Sequence, residues 1–412
     1  MIGYILLKQF EWTKLASTII DTALTDISSR IHVIIDIKSR KLVIQQSSEE
    51  TLSNKFRYEL ELEESDLRES YYFQIKACAL KNNLNGLDNK KLIKIFIHHD
   101  HFEFTIHDKL FNIPPNEVDD EDKDIAHVTL IERADTFDIA NLSNSHAFEI
   151  SSEMLVSKLK LIRDLKSSEN INSENEQKLR QLHLICQVSE KGILTLFARK
   201  ERWFAKLTCD IDIKADLATK AIGIAPPSIS KLIKVIEKVK GKLKITLVDN
   251  SMSLSQKHWH FTLPTSEPKW DYNEELSLLS VQKLSRLDLR QKARLYDHTA
   301  REKLNKAAVA QKARVYLKND TSTDVNKNGT TKNERAAYTL KLNLDQDGSG
   351  TWRNVELTVP LFEDGHIISL SLWCLSKTLD FLQSVSWQYD KLSSALVITD
   401  HQEKDHVVLF AE

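Results

Sequence analysis

Two hydrophobic periods alternate along this chain, and they recur in the same order three times. Residues 9–19, 147–159 and 275–287 share one design. A short extended piece meets a Thr or Ser able to cap a helix, and apolar residues then follow at helical spacing. These stretches begin about 130 to 140 residues apart, and the period between them is the mark of a repeat architecture. A second apolar helix is predicted over 66–84, 228–240 and 370–385. Each unit then closes with a strand of alternating apolar and polar residues, a polar tight turn and a second strand. These hairpins cover 91–106, 242–254 and 394–409; the first two run on to Asn112-Ile-Pro-Pro115 and Phe261-Thr-Leu-Pro264, and the third ends the chain. Every unit therefore reads strand, helix, several strands, helix, hairpin.

Composition adds limits. A chain of 412 residues, 41% hydrophobic and 28% charged, is globular and exceeds one ordinary core. No apolar run approaches the roughly 18 residues of a membrane helix, and residues 1–10 lack a basic region followed by a cleavage site. A cytoplasmic protein without membrane association is expected. The four cysteines, Cys78, Cys186, Cys209 and Cys374, have no short pairing and read as buried reduced thiols. Nine glycines in the chain argue against a Gly-rich phosphate cradle.

The net charge of −2 conceals segregation. Residues 283–318 carry eleven Lys/Arg against three Asp/Glu, and residues 231–244 carry six Lys against one Glu. Residues 117–124 hold six acids and one Lys. A basic surface facing one partner is compatible with a near-neutral total. Polar stretches 167–177 and 321–334 read as loops inside units.

Ile224-Ala-Pro-Pro-Ser-Ile-Ser-Lys-Leu-Ile-Lys-Val-Ile236, followed by a hairpin and by Pro268-Lys-Trp-Asp-Tyr272, carries a resemblance to a known family. The segment is similar to the Val-Pro-Arg-Lys helix start, and the later Phe-Pro-Asp-Tyr, of the bacterial DNA polymerase sliding clamp (beta subunit) family. Val407-Val-Leu-Phe-Ala-Glu412 resembles that family's closing Val-Val-Met-Pro-Met-Arg-Leu. The first unit is matched by layout alone. The resemblance implies an α+β fold of three tandem clamp-type domains, 1–134, 135–272 and 273–412, each with two helices packed on antiparallel sheets. It further implies a crescent that forms a head-to-tail homodimer, a ring around double-stranded DNA. Such a divergent clamp is not an enzyme and needs no cofactor. It would be nucleoid-associated, would tether DNA polymerase or other clients, and would be placed by a clamp loader. The alternative keeps the fold as a protein-binding scaffold that does not encircle DNA.

A ring that slides must attract phosphate without reading bases. The helices should then turn cations inward: Lys14, Lys76, Lys158, Lys160, Arg163, Lys166, Lys231, Lys234, Lys238, Lys283, Arg286, Arg290, Lys292, Arg294 and Lys377. Lys231, Lys234 and Lys238 recur at three- and four-residue spacing, opposite Leu232, Ile233 and Ile236, so they share one helix face. The family's client-peptide pocket, carried over by position, falls on Ala198, Arg202, Trp203, Trp270, Val407 and Leu409. Ala198-Arg-Lys-Glu201 replaces the family's Thr-Asp-Gly-His and the tail ends Phe-Ala-Glu, so an altered client motif or a partly filled pocket is expected. Trp203 and Trp270 read equally as core or interface aromatics.

His98-His-Asp-His101 raises a metal reading. It falls on a predicted hairpin turn where neighbours point to opposite faces, so no metal site is expected. His258 and His260 are read as sharing one face of a strand, again without metal. No nucleotide loop, nucleophile triad or two-metal carboxylate cluster stands out.

Overall fold

The computed structural model describes residues 1–7, 18–20, 30–46, 55–77, 80, 93–106, 109–111, 128–132, 147–166, 183–200, 202–213, 220–248, 250–268, 276, 285–287, 314–321, 338–343, 353–357, 367–382, 385–390, 393–400, 402 and 404–411. Strands dominate. The first are β1 (Gly3–Leu7), β2 (Arg30–Asp36), β3 (Lys41–Gln46), β4 (Lys55–Ser65), β5 (Tyr71–Lys76), β6 (Ile93–Ile97), β7 (Phe102–Ile106), β8 (Lys109–Phe111) and β9 (Val128–Leu130). β10 (Ala147–Ser151) leads into helix α1 (Ser152–Lys166). β11 (His183–Ser189), β12 (Ile193–Lys200), β13 (Trp203–Asp210), β14 (Asp212–Ile213) and β15 (Lys220–Ile224) precede helix α2 (Pro226–Ile236). β16 (Lys242–Val248), β17 (Ser251–Gln256), β18 (Trp259–Pro264), β19 (Ser285–Leu287), β20 (Arg314–Thr321), β21 (Tyr338–Asn343), β22 (Arg353–Leu357) and β23 (Ile367–Ser371) follow. Helix α3 (Leu372–Phe381), then β24 (Val385–Asp390), β25 (Ala395–Asp400) and β26 (His406–Phe410), end the series.

Contacts gather these elements into two compact units. The first comprises residues 1–156, 211–217 and 230–266. Its 14-stranded sheet runs β14-β10-β16-β17-β18-β4-β1-β6-β7-β8, while β3 pairs with β4, β2 with β3 and β5, and β9 with β5. The second comprises residues 157–210, 218–229 and 267–412. It holds an eight-stranded sheet, β15-β11-β12-β13-β26-β25-β24-β19, and a four-stranded sheet, β22-β21-β20-β23. The units do not follow the sequence repeats, and pairing explains why. Trp259 lies opposite Tyr58 and His260 opposite Arg57, so hydrogen bonds join the first repeat to the second within one sheet. Trp203 lies opposite Leu409 and Ala205 opposite Val407, which joins the second repeat to the third in another.

β13 is buried from Trp203 to Ala205 and then at every second residue, whereas β12 is buried along most of both faces. That accounts for near-continuous apolar runs where a half-exposed strand would alternate. One face packs Ile185, Phe197, Phe204, Ala395, Val397 and Val408 together. Cys186, Cys209 and Cys374 are buried thiols outside any disulfide, and burial pushes the Cys186 and Cys209 thiols up to about 12, which leaves them unreactive. Cys78 lies outside the described residues.

Of the helices predicted from spacing, α1, α2 and α3 form; for the one over 9–19, residues 18 and 19 are helical and 9–17 lie outside the described residues. α2 opens on two prolines, as a first turn tolerates. It ends in a tightened turn in which Lys238 N–H and Val239 N–H donate to Val235 O and Ile236 O. Gly241 then takes φ +82°, a left-handed conformation that costs glycine little. The same exit holds the start of α1: Ser152 N–H donates to Gly241 O at 3.0 Å and Ser152 Oγ to Val239 O at 3.0 Å. In α3, Ser371 Oγ accepts from Cys374 N–H, an N-cap. All three predicted hairpins form, as β6/β7, β16/β17 and β25/β26.

Three expectations need correction. The helix over 66–84 gives way to β5 across Tyr71–Lys76, with helical residues only at Ala77 and Leu80 among those described. Tyr71-Tyr-Phe-Gln-Ile is rich in strand formers, and pairing to β2 and β9 settles it as a strand. The predicted helix 275–287 is helical at Leu276 but ends in a strand, β19, paired with β24. His258 belongs to the turn before β18 rather than to the strand that holds His260.

Candidate functional site

Two groups of side chains are the candidates for function: the cations of the helices and the apolar residues where β13 meets β26. On α2, Leu232, Ile233, Val235 and Ile236 are buried, Lys231 is half-buried, and Lys234 is exposed. Lys238 is exposed in the turn that follows. Burial, with the like charge of Lys234 behind it, lowers the Lys231 pKa. No acid among the described residues pairs with these three lysines. An uncompensated cluster of this kind suits a polyanion.

α1 behaves differently. Its outward residues are Glu153, Ser157 and Arg163, with Lys160 half-buried, and Arg163 is exposed with Nε 3.1 Å from Asp164 Oδ1. Lys158 is not on that face. It is buried, paired with Asp405, and its Nζ lies 5.6 Å from the Phe381 ring centroid. Asp405 is also buried and accepts Thr208 N–H at 2.9 Å. Lys158 stands three residues after Leu155 and four before Ile162, so helical spacing alone places it in the apolar stripe. Its partner, 247 residues away, had no sequence signal.

The other predicted cations are dispersed. Lys76 is exposed on β5 rather than on a helix. Lys377, on α3, lies half-buried with Nζ 4.7 Å from the Trp373 ring centroid, and Trp373 Nε1–H donates to Asp164 O at 2.5 Å. Arg286 falls in β19 opposite Ser386, and Lys166 ends α1. Lys14, Lys283, Arg290, Lys292 and Arg294 lie outside the described residues.

Four of the six predicted pocket residues share one face of the eight-stranded sheet. Ala198 lies opposite Ala205, Ala205 opposite Val407, and Trp203 opposite Leu409. All are at most 1% exposed, and Trp203 Nε1–H is buried with no acceptor among the described residues. Arg202 precedes β13 half-buried, and its carbonyl accepts Phe410 N–H at 3.0 Å. Trp270 lies outside the described residues. These side chains form a closed apolar layer.

The histidines divide as well. His98 and His101 flank the β6/β7 turn, with His98 N–H donating to His101 O at 3.0 Å. Their rings stack 4.1 Å apart, closer than alternation in the turn predicts. His101 Nδ1 lies 2.8 Å from Asp100 Oδ1 and His98 Nε2 3.4 Å from Glu103 Oε2. Stacked rings aim their lone pairs along parallel lines, and among the described residues no group of three or more His, Cys, Asp or Glu is arranged to hold a metal ion. His260 is buried against Ser253 Oγ at 2.6 Å, and burial, then Lys244 and Arg57, push its pKa down to about 4. Among the described residues no helix is long and apolar enough to cross a membrane.

Antiparallel sheets shared between successive repeats, with paired helices and a cationic helix face, define an α+β fold of the clamp type. Solved structures agree over the full length. A Pseudomonas aeruginosa DNA polymerase sliding clamp with ligand superposes at TM-score 0.66, 13% identity, covering 100% of this chain and 99% of that one. The Bacillus subtilis sliding clamp gives 0.67, 10% identity, 100% and 99%. A Helicobacter pylori beta clamp bound to a DNA ligase peptide gives 0.63, 11% identity, 99% and 99%. No family model and no curated sequence matches the chain. The chain has the fold of the bacterial DNA polymerase sliding clamps at very low sequence identity.

Proposed function

We propose that this chain is a DNA sliding clamp: three domains, 1–134, 135–272 and 273–412, with two copies closing head to tail around double-stranded DNA. In this reading it does no chemistry and holds polymerase or other client proteins at the duplex. The observation that carries the reading is full-length agreement with the clamp fold, in both directions, at 10–14% identity. Lys231, Lys234 and Lys238, which pair with no acid among the described residues, support it, because phosphate attraction without base reading needs such a face. A loader is assigned by the same likeness. In this reading the closed layer of Ala198, Trp203, Val407 and Leu409 forms the floor of the client site, with the half-buried Arg202 at its edge; a Helicobacter pylori clamp of the same fold binds a DNA ligase peptide.

One observation favours a second reading, a scaffold with the fold but without DNA: Lys158, expected to face phosphate, is buried on Asp405. Retention separates the two. Protein allowed to close around a circular duplex should stay through gel filtration and leave once the circle is cut. A scaffold would elute alone in both cases, and a monomer in solution would also overturn the ring.

A further inference from the structure

One carboxylate ties three elements of the eight-stranded sheet and its helix together. Asp405 sits in the turn between β25 and β26, two residues before Val407. Its Oδ2 takes the Lys158 ammonium from α1, and its Oδ1 takes Thr208 N–H from β13. The turn is folded around it: Lys404 N–H and Asp405 N–H both donate to Asp400 Oδ1, at 2.8 and 3.0 Å. Thr208 Oγ1 donates to Lys404 O at 3.1 Å, and Lys404 Nζ reaches Asp210 Oδ2 at 3.0 Å. At the other end of the same strand pair, Phe410 N–H donates to Arg202 O. Between these ends lie Trp203 opposite Leu409 and Ala205 opposite Val407.

Register in a strand pair decides which side chains meet, and a slip of one residue exchanges the two faces. One face of β13 and β26 is apolar throughout, with Trp203, Ala205, Val407 and Leu409; the other carries Phe204 and Val408 and then Lys206 opposite His406. Alternation therefore opposes a slip of one residue but not of two, which leaves every side chain on its own face, and a polar anchor must exclude that. A buried carboxylate that accepts one particular amide supplies that discrimination, and Lys158 lets it remain charged in the interior.

We propose that Asp405 is the positioning residue of the client-peptide site, with Lys158 as its counter-ion: together they hold β26 in the register that sets Leu409 against Trp203. The proposal rests on the reading of that layer as the client site. It also assigns Lys158 a task other than DNA contact.

Two double variants test it. Lys158→Met with Asp405→Asn removes both charges but leaves an acceptor for Thr208 N–H; Lys158→Met with Asp405→Leu removes the acceptor too. The readouts are amide hydrogen exchange at residues 406–410 and binding of the DNA ligase peptide seen on the Helicobacter pylori clamp. The Asn double should keep wild-type exchange and bind within about twofold. The Leu double should keep its overall melting temperature yet exchange at least tenfold faster at 406–410, and bind at least tenfold more weakly. A purely structural pair would show equal behaviour in the two doubles, or a global loss of stability, and either overturns the proposal. Trp203→Ala examines the site separately. Peptide binding unchanged there, or absent from the wild type, counts against the client site, while the exchange data still decide the anchor.

Discussion

Lys158 on α1 and Lys234 on α2 come from similar surroundings in sequence, an amphipathic helix with lysines at helical spacing, and they meet opposite fates. Lys234 is exposed and pairs with no acid among the described residues, whereas Lys158 is buried on a carboxylate. Both outcomes follow from which stripe of the helix each occupies. On α2 the cations stand clear of Leu232, Ile233 and Ile236; on α1, Lys158 falls between Leu155 and Ile162 in the stripe that packs. A lysine in an apolar stripe must lose its charge or find an acid. The contrast separates cations available to a polyanion from cations spent on the fold.

The contrast is broken most forcefully at Lys158. Replacing Lys158 alone with Met leaves Asp405 buried without its counter-ion, and removal of one partner from such a pair costs about 3–5 kcal/mol. Denaturant unfolding should show that loss, with most of it recovered when Asp405→Asn is added. A loss below about 1 kcal/mol would mean the pair is solvated and the contrast false.

A buried base sharpens the contrast from the other side. His260 packs on Ser253 with Lys244 and Arg57 as its charged neighbours, and its pKa falls from 6.5 to about 4. The unfolded chain therefore takes up a proton before the folded one does. Stability is fully present above about pH 6.5, declines between pH 6.5 and about 4, and levels off below, a change on the order of 3 kcal/mol. His260→Gln should flatten that part of the profile. An unchanged slope would assign the acid sensitivity to other groups.

How much of this was legible in the sequence follows a physical line. The helices and hairpins that were read correctly, α1, α2, α3 and the β6/β7, β16/β17 and β25/β26 pairs, are specified by local periodicity and caps. β5 was misread because Tyr71–Lys76 becomes a strand only through β2 and β9, which lie far off in sequence. The grouping into two units was hidden for the same reason: single registers, Trp259 against Tyr58 and Trp203 against Leu409, weld neighbouring repeats. At the candidate sites, the α2 face was legible from spacing. The closure of the Ala198–Trp203–Leu409 layer and the capture of Lys158 depend on long-range partners, although the position of Lys158 in the apolar stripe was a signal available to spacing.

On the α2 side, Lys231→Glu, Lys234→Glu and Lys238→Glu together should weaken retention on circular DNA about a hundredfold near 0.1 M salt, since reversed charges repel the phosphates they formerly attracted. Oligomeric state should not change, because these side chains lie off the packed face of α2. Unchanged retention would remove α2 from the DNA interface.

The smallest effect is the most diagnostic. Lys234→Ala removes one exposed cation and nothing from the core. If Lys234 contacts a phosphate, the slope of log affinity against log salt should become shallower by about 0.9, with no change in preference among duplex sequences. The matched change at Lys158 predicts the reverse. Lys158→Met in the Asp405→Asn background has no exposed charge to withdraw, so its slope should equal that of the wild type. Equal slopes for the two variants would mean that burial does not sort these lysines, whereas a shallower slope for Lys234→Ala alone ties DNA attraction to the stripe of the helix that spacing left outside the core.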